Sequence, residues 1–131
     1  MKLFVDASAL VAMLALEEDF ERLADRLDRS DCRLTSPLAR WEAATGLCRS
    51  HGYDPAVAFD ELGAFAEARD IGTVPIGERE AMIAFDAYHR YGKGRHPARL
   101  NMGDCFAYAC ARTNDAALLY KGDDFALTDL A

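Results

Sequence analysis

The stretch "KLFVDASALVAMLAL", residues 2–16, decides the fold. It opens with Leu3, Phe4 and Val5, a short β-prone apolar run that ends on Asp6. Such a run reads as a buried strand. From Ala7 onward Ala, Leu and Met take over, and these favour helix. Ser8 is placed to cap that helix. A strand that passes directly into a helix is half of a unit that builds parallel sheets. The apolar run 9–16 is far too short to cross a bilayer, and the N-terminus turns acidic too early for a signal peptide. A soluble, cytoplasmic protein is therefore expected.

The same alternation continues outward. Phe20, Leu23, Ala24 and Leu27 stand at helical spacing within residues 18–29, and "CRLTS" (32–36) reads as a second strand. Residues 36–52 carry clear punctuation. Ser36 suits an N-cap, Pro37 the first helical position and Gly52 the residue past the end. Asp54 and Pro55 repeat the device, with Phe59, Leu62, Phe65 and Ala66 as the apolar stripe. "TVPI" (73–76) is a short strand weakened by Pro75. A helix follows over 78–92, with Met82, Phe85 and Tyr88 or His89 turned inward. Residues 93–101 read as a loop. "GDCFAYACART" (103–113) is a helix, "ALLY" (117–120) the last strand, and 121–131 a tail. The whole chain, 1–131, thus reads as one α/β domain with a mainly parallel central sheet flanked by helices.

The chain has 131 residues, about half of them apolar, enough for one core. Its net charge of −7 argues against a protein coated in positive charge for general nucleic-acid binding. Cys32, Cys48, Cys105 and Cys110 form no C-x-x-C pair and have no histidine at zinc-ligand spacing, so they read as reduced thiols. One local asymmetry stands out. Between Asp86 and Asp104 there is no acid, whereas Arg90, Lys93, Arg95 and Arg99 all occur there beside His89 and His96.

In open parallel sheets, ligands sit beyond the carboxyl ends of the strands. Asp6 ends the first strand, and Asp123 and Asp124 lie just past the last. Asp104 lies in the first turn of the helix before that strand, and Glu42 lies two turns into a helix that follows another. Carboxylates gathered at one spot repel: at about 4 Å and an effective dielectric near 20, each pair costs roughly 4 kcal/mol. Either some take up protons or a divalent cation holds them together. Oxygen ligands without His or Cys suit Mg2+ or Mn2+, and Mg2+ keeps several waters. Each acid alone has a plainer role, as a turn residue, a first-turn helix acid or part of a solvated face. Their force lies in a fold that brings them to one edge.

Four segments, in order, resemble PIN-domain nucleases. These are "LFVDASALVAML" with its strand-ending D-x-S, "SPLARWEAATGL" with an acid inside a helix, "LNMGDCFAYACA" with G-D-x-x-x-A, and "ALLYKGDDFALTD" with a closing strand and D-F. Order, spacing and length are similar to the VapC-type toxins of bacterial toxin–antitoxin pairs. The resemblance implies a Mg2+- or Mn2+-dependent endoribonuclease that leaves a 3′-hydroxyl and a 5′-phosphate. It also implies a homodimer held inactive by a cognate VapB-type antitoxin. It carries the family's acids onto Asp6, Glu42, Asp104 and Asp124, with Asp123 as the alternative to Asp124. Ser8 falls where a small polar residue supports the site.

The basic stretch then acquires a purpose: Lys93, Arg95, His96 and Arg99 hold RNA phosphates beside a pocket that would otherwise repel the backbone. Gly92-Lys93-Gly94 suggests a mobile loop. A rival mechanism uses His89 and His96 for metal-free acid–base cleavage. Two other classes compete: a Mg2+-binding phospho-acceptor signalling domain, for which Asp54 reads as a helix cap instead, and a non-catalytic binding protein with structural acids. The helices bearing Trp41 and Phe59/Phe65 hold more large apolar residues than a small sheet covers, which predicts an interface there.

Overall fold

The computed structural model describes residues 1–131. Strands β1 (Lys2–Val5), β2 (Cys32–Thr35), β3 (Ile71–Thr73) and β4 (Ala117–Leu119) form one sheet in the order β3-β2-β1-β4. Every pairing is parallel. The helices are α1 (Ala7–Leu14), α2 (Phe20–Asp28), α3 (Pro37–His51), α4 (Pro55–Ala68), α5 (Glu78–Tyr91) and α6 (Met102–Thr113). None is long and apolar enough to cross a membrane.

The period-two geometry of β1 organises the layers. Leu3 and Val5 point into a core built with α1 to α4, and Phe4 points into a second core built with α5 and α6. All three are fully buried, each contributing roughly 1.5–3 kcal/mol. With β1 in the interior of the sheet, its carboxyl end lies between those of β2 and β4. The backbone N–H of Asp6 donates to Leu119 O (2.9 Å), and Thr35 Oγ1 donates to Val5 O (3.0 Å). These bonds tie three strand ends together.

Four local expectations are corrected. The cap of α1 is Asp6, whose extended backbone lets its carboxylate accept from the Ser8 N–H (3.0 Å); Ser8 lies inside the helix. The third strand is residues 71–73 rather than 73–76. Its pairing with β2 ends at Thr35–Thr73, and Pro75 has no N–H to extend it. On α5, Met82, Phe85 and Tyr88 face outward, 66%, 73% and 41% exposed, and His89 is exposed too. Ala84 and Ala87 face the core instead, where α5 packs closely against the Ala-rich α6, with Ile83 and Tyr91 partly buried beside them. On α4, Leu62 is buried but Phe59 is 43% exposed, its ring covered by the Arg40 guanidinium at 4.0 Å.

Residues 93–101 form a loop closed at its neck by bonds from Lys93 N to Leu100 O (2.9 Å) and from Leu100 N to Tyr91 O (3.0 Å). Inside it, Arg95 donates to His89 O, and His96 Nδ1 accepts from Ala98 N (3.0 Å). Gly94 takes the positive φ (85°) that the turn inside this loop requires. Cys105 and Cys110 are buried free thiols, both pushed up to about 11 by burial.

Candidate active site

At the carboxyl edge of the sheet lies a cleft of about 500 Å3. Asp6, Glu42, Asp104 and Asp124 all line it. They arrive from β1, α3, α6 and the segment after β4, separated in sequence by up to the length of the chain.

Each acid is held in its own way. Asp6 is buried, and its Oδ2 accepts from both the N–H and the hydroxyl of Ser8 (3.0 and 2.6 Å). The Ser8 hydroxyl oxygen in turn accepts from the Lys121 N–H (3.0 Å), so it joins the acid of β1 to the segment bearing Asp124. Asp104 sits in a reciprocal cap at the start of α6. Its N–H donates to Asn101 Oδ1 (2.9 Å), and its carboxylate accepts from the Asn101 N–H (3.1 Å). Glu42 reaches from α3 to the first turn of α6, where Gly103 receives it. A Cβ at Gly103 would lie 1.8 Å from Glu42 Oε2.

Burial and mutual repulsion leave their mark on the protons. Burial raises Asp6, against the hydrogen bonds from Ser8. Glu42 is pushed up to about 7 by burial and by the charge of Asp6. Asp104 is likewise pushed up to about 7, by burial and then by Asp124, Asp6 and Glu42. None of the four belongs to an ion pair. Lys121, the nearest cation on the tail, is taken by Glu17 (2.9 Å), which also meets His51 Nε2 (2.5 Å). These carboxylates repel one another, and neither Lys121 nor Arg49, the two cations lining the cleft, forms an ion pair with them.

That donor set fits a hard dication: carboxylate oxygens only, with no His or Cys in the cleft. As their side chains stand, no three acids close on one point in the geometry of a finished cage. They face a shared space, with Asp124 exposed and Glu42 half-buried.

Of the two adjacent tail acids, Asp124 lines the cleft and Asp123 does not. Lys93, Arg95, His96 and Arg99 lie together around a separate shallow hollow on the 93–99 loop. That loop runs into Asn101, the cap of the Asp104 helix. His89 and His96 are absent from the acidic cleft; His89 meets Arg95, and His96 packs edge-on against Tyr91. Asp54 caps α4 by accepting from the Ala56 N–H (3.1 Å), as its place before Pro55 suggested. Sequence reasoning did not single out Lys121, Thr45 or Arg49, which also line the cleft, and it met Gly103 only as the first residue of the G-D-x-x-x-A segment, with no role. For Gly103 a signal existed: a poor helix former in the first turn of a helix, directly before the acid.

A strand-ending aspartate, two helix-borne acids and a tail acid on a parallel four-stranded sheet define a class, and the sequence family agrees. The PIN domain family matches residues 3–130, and this chain belongs to it. Among its relatives, VapC ribonuclease R02377 of Rhizobium meliloti (strain 1021) is 42% identical, with 97% of this chain and 98% of the relative covered. Ribonuclease VapC30 of Mycobacterium tuberculosis is 40% identical, covering 97% and 95%. The solved structure of Mycobacterium tuberculosis VapC20, described as a sarcin-ricin loop cleaving toxin, superposes with a TM-score of 0.72. That alignment is 21% identical and covers 95% of this chain and 93% of the other; it bears on the fold alone.

Proposed function

We propose that this protein is a divalent-metal-dependent endoribonuclease, the toxin of a toxin–antitoxin pair, that hydrolyses RNA phosphodiester bonds. The observation that carries the reading is the convergence of Asp6, Glu42, Asp104 and Asp124 in one cleft with none of them in an ion pair. Asp6 and Asp104 are the principal ligands in this reading, since both are fixed by hydrogen bonds to neighbouring backbone. Glu42 and Asp124 complete the set or orient the attacking water. Mg2+ or Mn2+, when bound, would supply positive charge at the scissile phosphate and a more acidic water. Ser8 holds the Asp6 carboxylate in one orientation. Lys93, Arg95, His96 and Arg99 offset the repulsion between RNA and the acidic edge.

The partners proposed are RNA, a cognate VapB-type antitoxin and a second copy of the chain, in the cytoplasm. For the second copy we assign the apolar groove between α5 and α6, lined by Phe85, Tyr88 and Met102 among others, in place of the α3 and α4 face suggested by the sequence, where Arg40 already covers Phe59. Met82, on α5, is also exposed. The test is incubation of purified protein with mixed RNAs, with and without Mg2+, beside Asp6→Asn. Cutting that needs the metal and is lost in a folded Asp6→Asn protein is expected. Cutting that persists in excess EDTA would refute the metal role, and retained cutting by Asp6→Asn would refute the site.

A further inference from the structure

We infer that Trp41 is a stacking platform for an unpaired nucleobase next to the phosphate held over the acids, so that the preferred substrate is single-stranded at that position. The inference rests on the nuclease reading above and adds to it a base-contacting residue.

Trp41 immediately precedes Glu42 on α3, and both line the cleft. Thr45 and Arg49 follow at one and two further turns on the same helix face and line it too. Tryptophan is on average a highly buried residue, yet Trp41 is 58% exposed. Other exposed rings here have partners. Arg40 covers Phe59, and Phe85 packs beside Tyr88. The Trp41 indole meets no aromatic ring and no guanidinium.

The surroundings select the occupant. A strand whose phosphate lies over the carboxylates presents its neighbouring bases to the cleft walls, and Trp41, adjoining Glu42 in the chain, is the one aromatic ring among the lining residues. Arg49, which belongs to no ion pair, supplies charge for a flanking phosphate. An indole offers a π-face that any base can use, but a base inside a duplex has both of its faces stacked already.

Trp41 is the only tryptophan, so its fluorescence reports on itself. The experiment titrates the protein, at fixed ionic strength, with three probes. These are a 2′-O-methyl single-stranded RNA, the same RNA fully paired, and an abasic strand of equal length and charge. Saturable quenching by the single strand is expected, with none from the abasic strand and little from the duplex. Trp41→Ala, whose affinity is followed with a labelled strand, should bind the single strand about 10-fold more weakly, and Trp41→Phe should keep most of the affinity. Absent quenching, or equal affinity in Trp41→Ala, overturns the platform. So does a fluorescence change with protein concentration alone, which would assign the ring to contact between copies. Quenching in a protein that cuts no RNA would sink the nuclease reading and leave the platform standing. Cutting without quenching would do the reverse.

Discussion

Gly103→Ala separates what the fold needs from what the site needs. The added methyl would lie 1.8 Å from Glu42 Oε2 and 2.3 Å from both Oε1 and Cδ, whereas ordinary contact starts at 3.4 Å. The carboxylate must therefore retreat by at least about 1.6 Å. It can do so, because it ends a flexible, half-buried side chain. Nothing in the backbone forbids alanine: Gly103 lies within α6 and is not among the residues with positive φ. Alanine in a helix is favoured over glycine by roughly 0.5–1 kcal/mol. The melting temperature should thus hold or rise slightly, while RNA cleavage falls about 100-fold, as expected for a reacting group misplaced by more than an ångström. The assay pairs thermal unfolding with initial rates of RNA cutting in Mg2+. In a Glu42→Ala background the same glycine change should cost no further activity, because the two act through one carboxylate. A folded Gly103→Ala protein with wild-type rates would refute the reasoning, as would an unfolded one.

Three further outcomes are expected. Glu42 and Asp104 have ordinary values of 4.5 and 3.8 and are pushed up to about 7 in the fold, so between those limits the native state holds more protons than the unfolded chain. In metal-free buffer the melting temperature should fall from pH 5 to pH 8. Asp104→Asn or added Mg2+ should restore it at pH 8, by roughly 3–5 °C for each kcal/mol recovered, and change little at pH 5; a flat wild-type profile would contradict the repulsion. Ser8→Ala removes the donor to Asp6 and the acceptor for the Lys121 N–H, and should cost about 1–2 kcal/mol in chemical denaturation together with part of the cleavage rate. Replacing Lys93 and Arg95 with alanine should weaken RNA binding and flatten the slope of log affinity against log salt by up to about 0.7 per lost contact. Unchanged slopes would remove that loop from the RNA path.

Much of this molecule was legible in the chain order. The punctuation Ser36-Pro37…Gly52 set α3 correctly, because caps and a left-handed C-terminal glycine are local chemistry. The run Leu3–Val5 is β1, legible because it is short, carries aromatic and β-branched residues and ends on Asp6 before the Ala- and Leu-rich helix. The inward face of α5 was not legible: Met82, Phe85 and Tyr88 face outward, while Ala84 and Ala87, flanked by the partly buried Ile83 and Tyr91, meet α6. Pattern alone does not reveal the size of the partner surface. The choice between Asp123 and Asp124 was likewise open, since neighbours in an irregular tail differ only in which way the chain turns.

The sequence by itself determined the alternation of strand and helix, the acids at element ends and the family motifs, all written within a few residues of one another. Only the tertiary structure decided that Asp124 faces the cleft, that Gly103 makes room for Glu42 and that Trp41 stands bare beside it. The physical reason is range. Caps and periodicity act over a turn or two, whereas repulsion, close approach and exposure depend on groups that meet only after parallel β1 and β4 bring the two ends of the chain together.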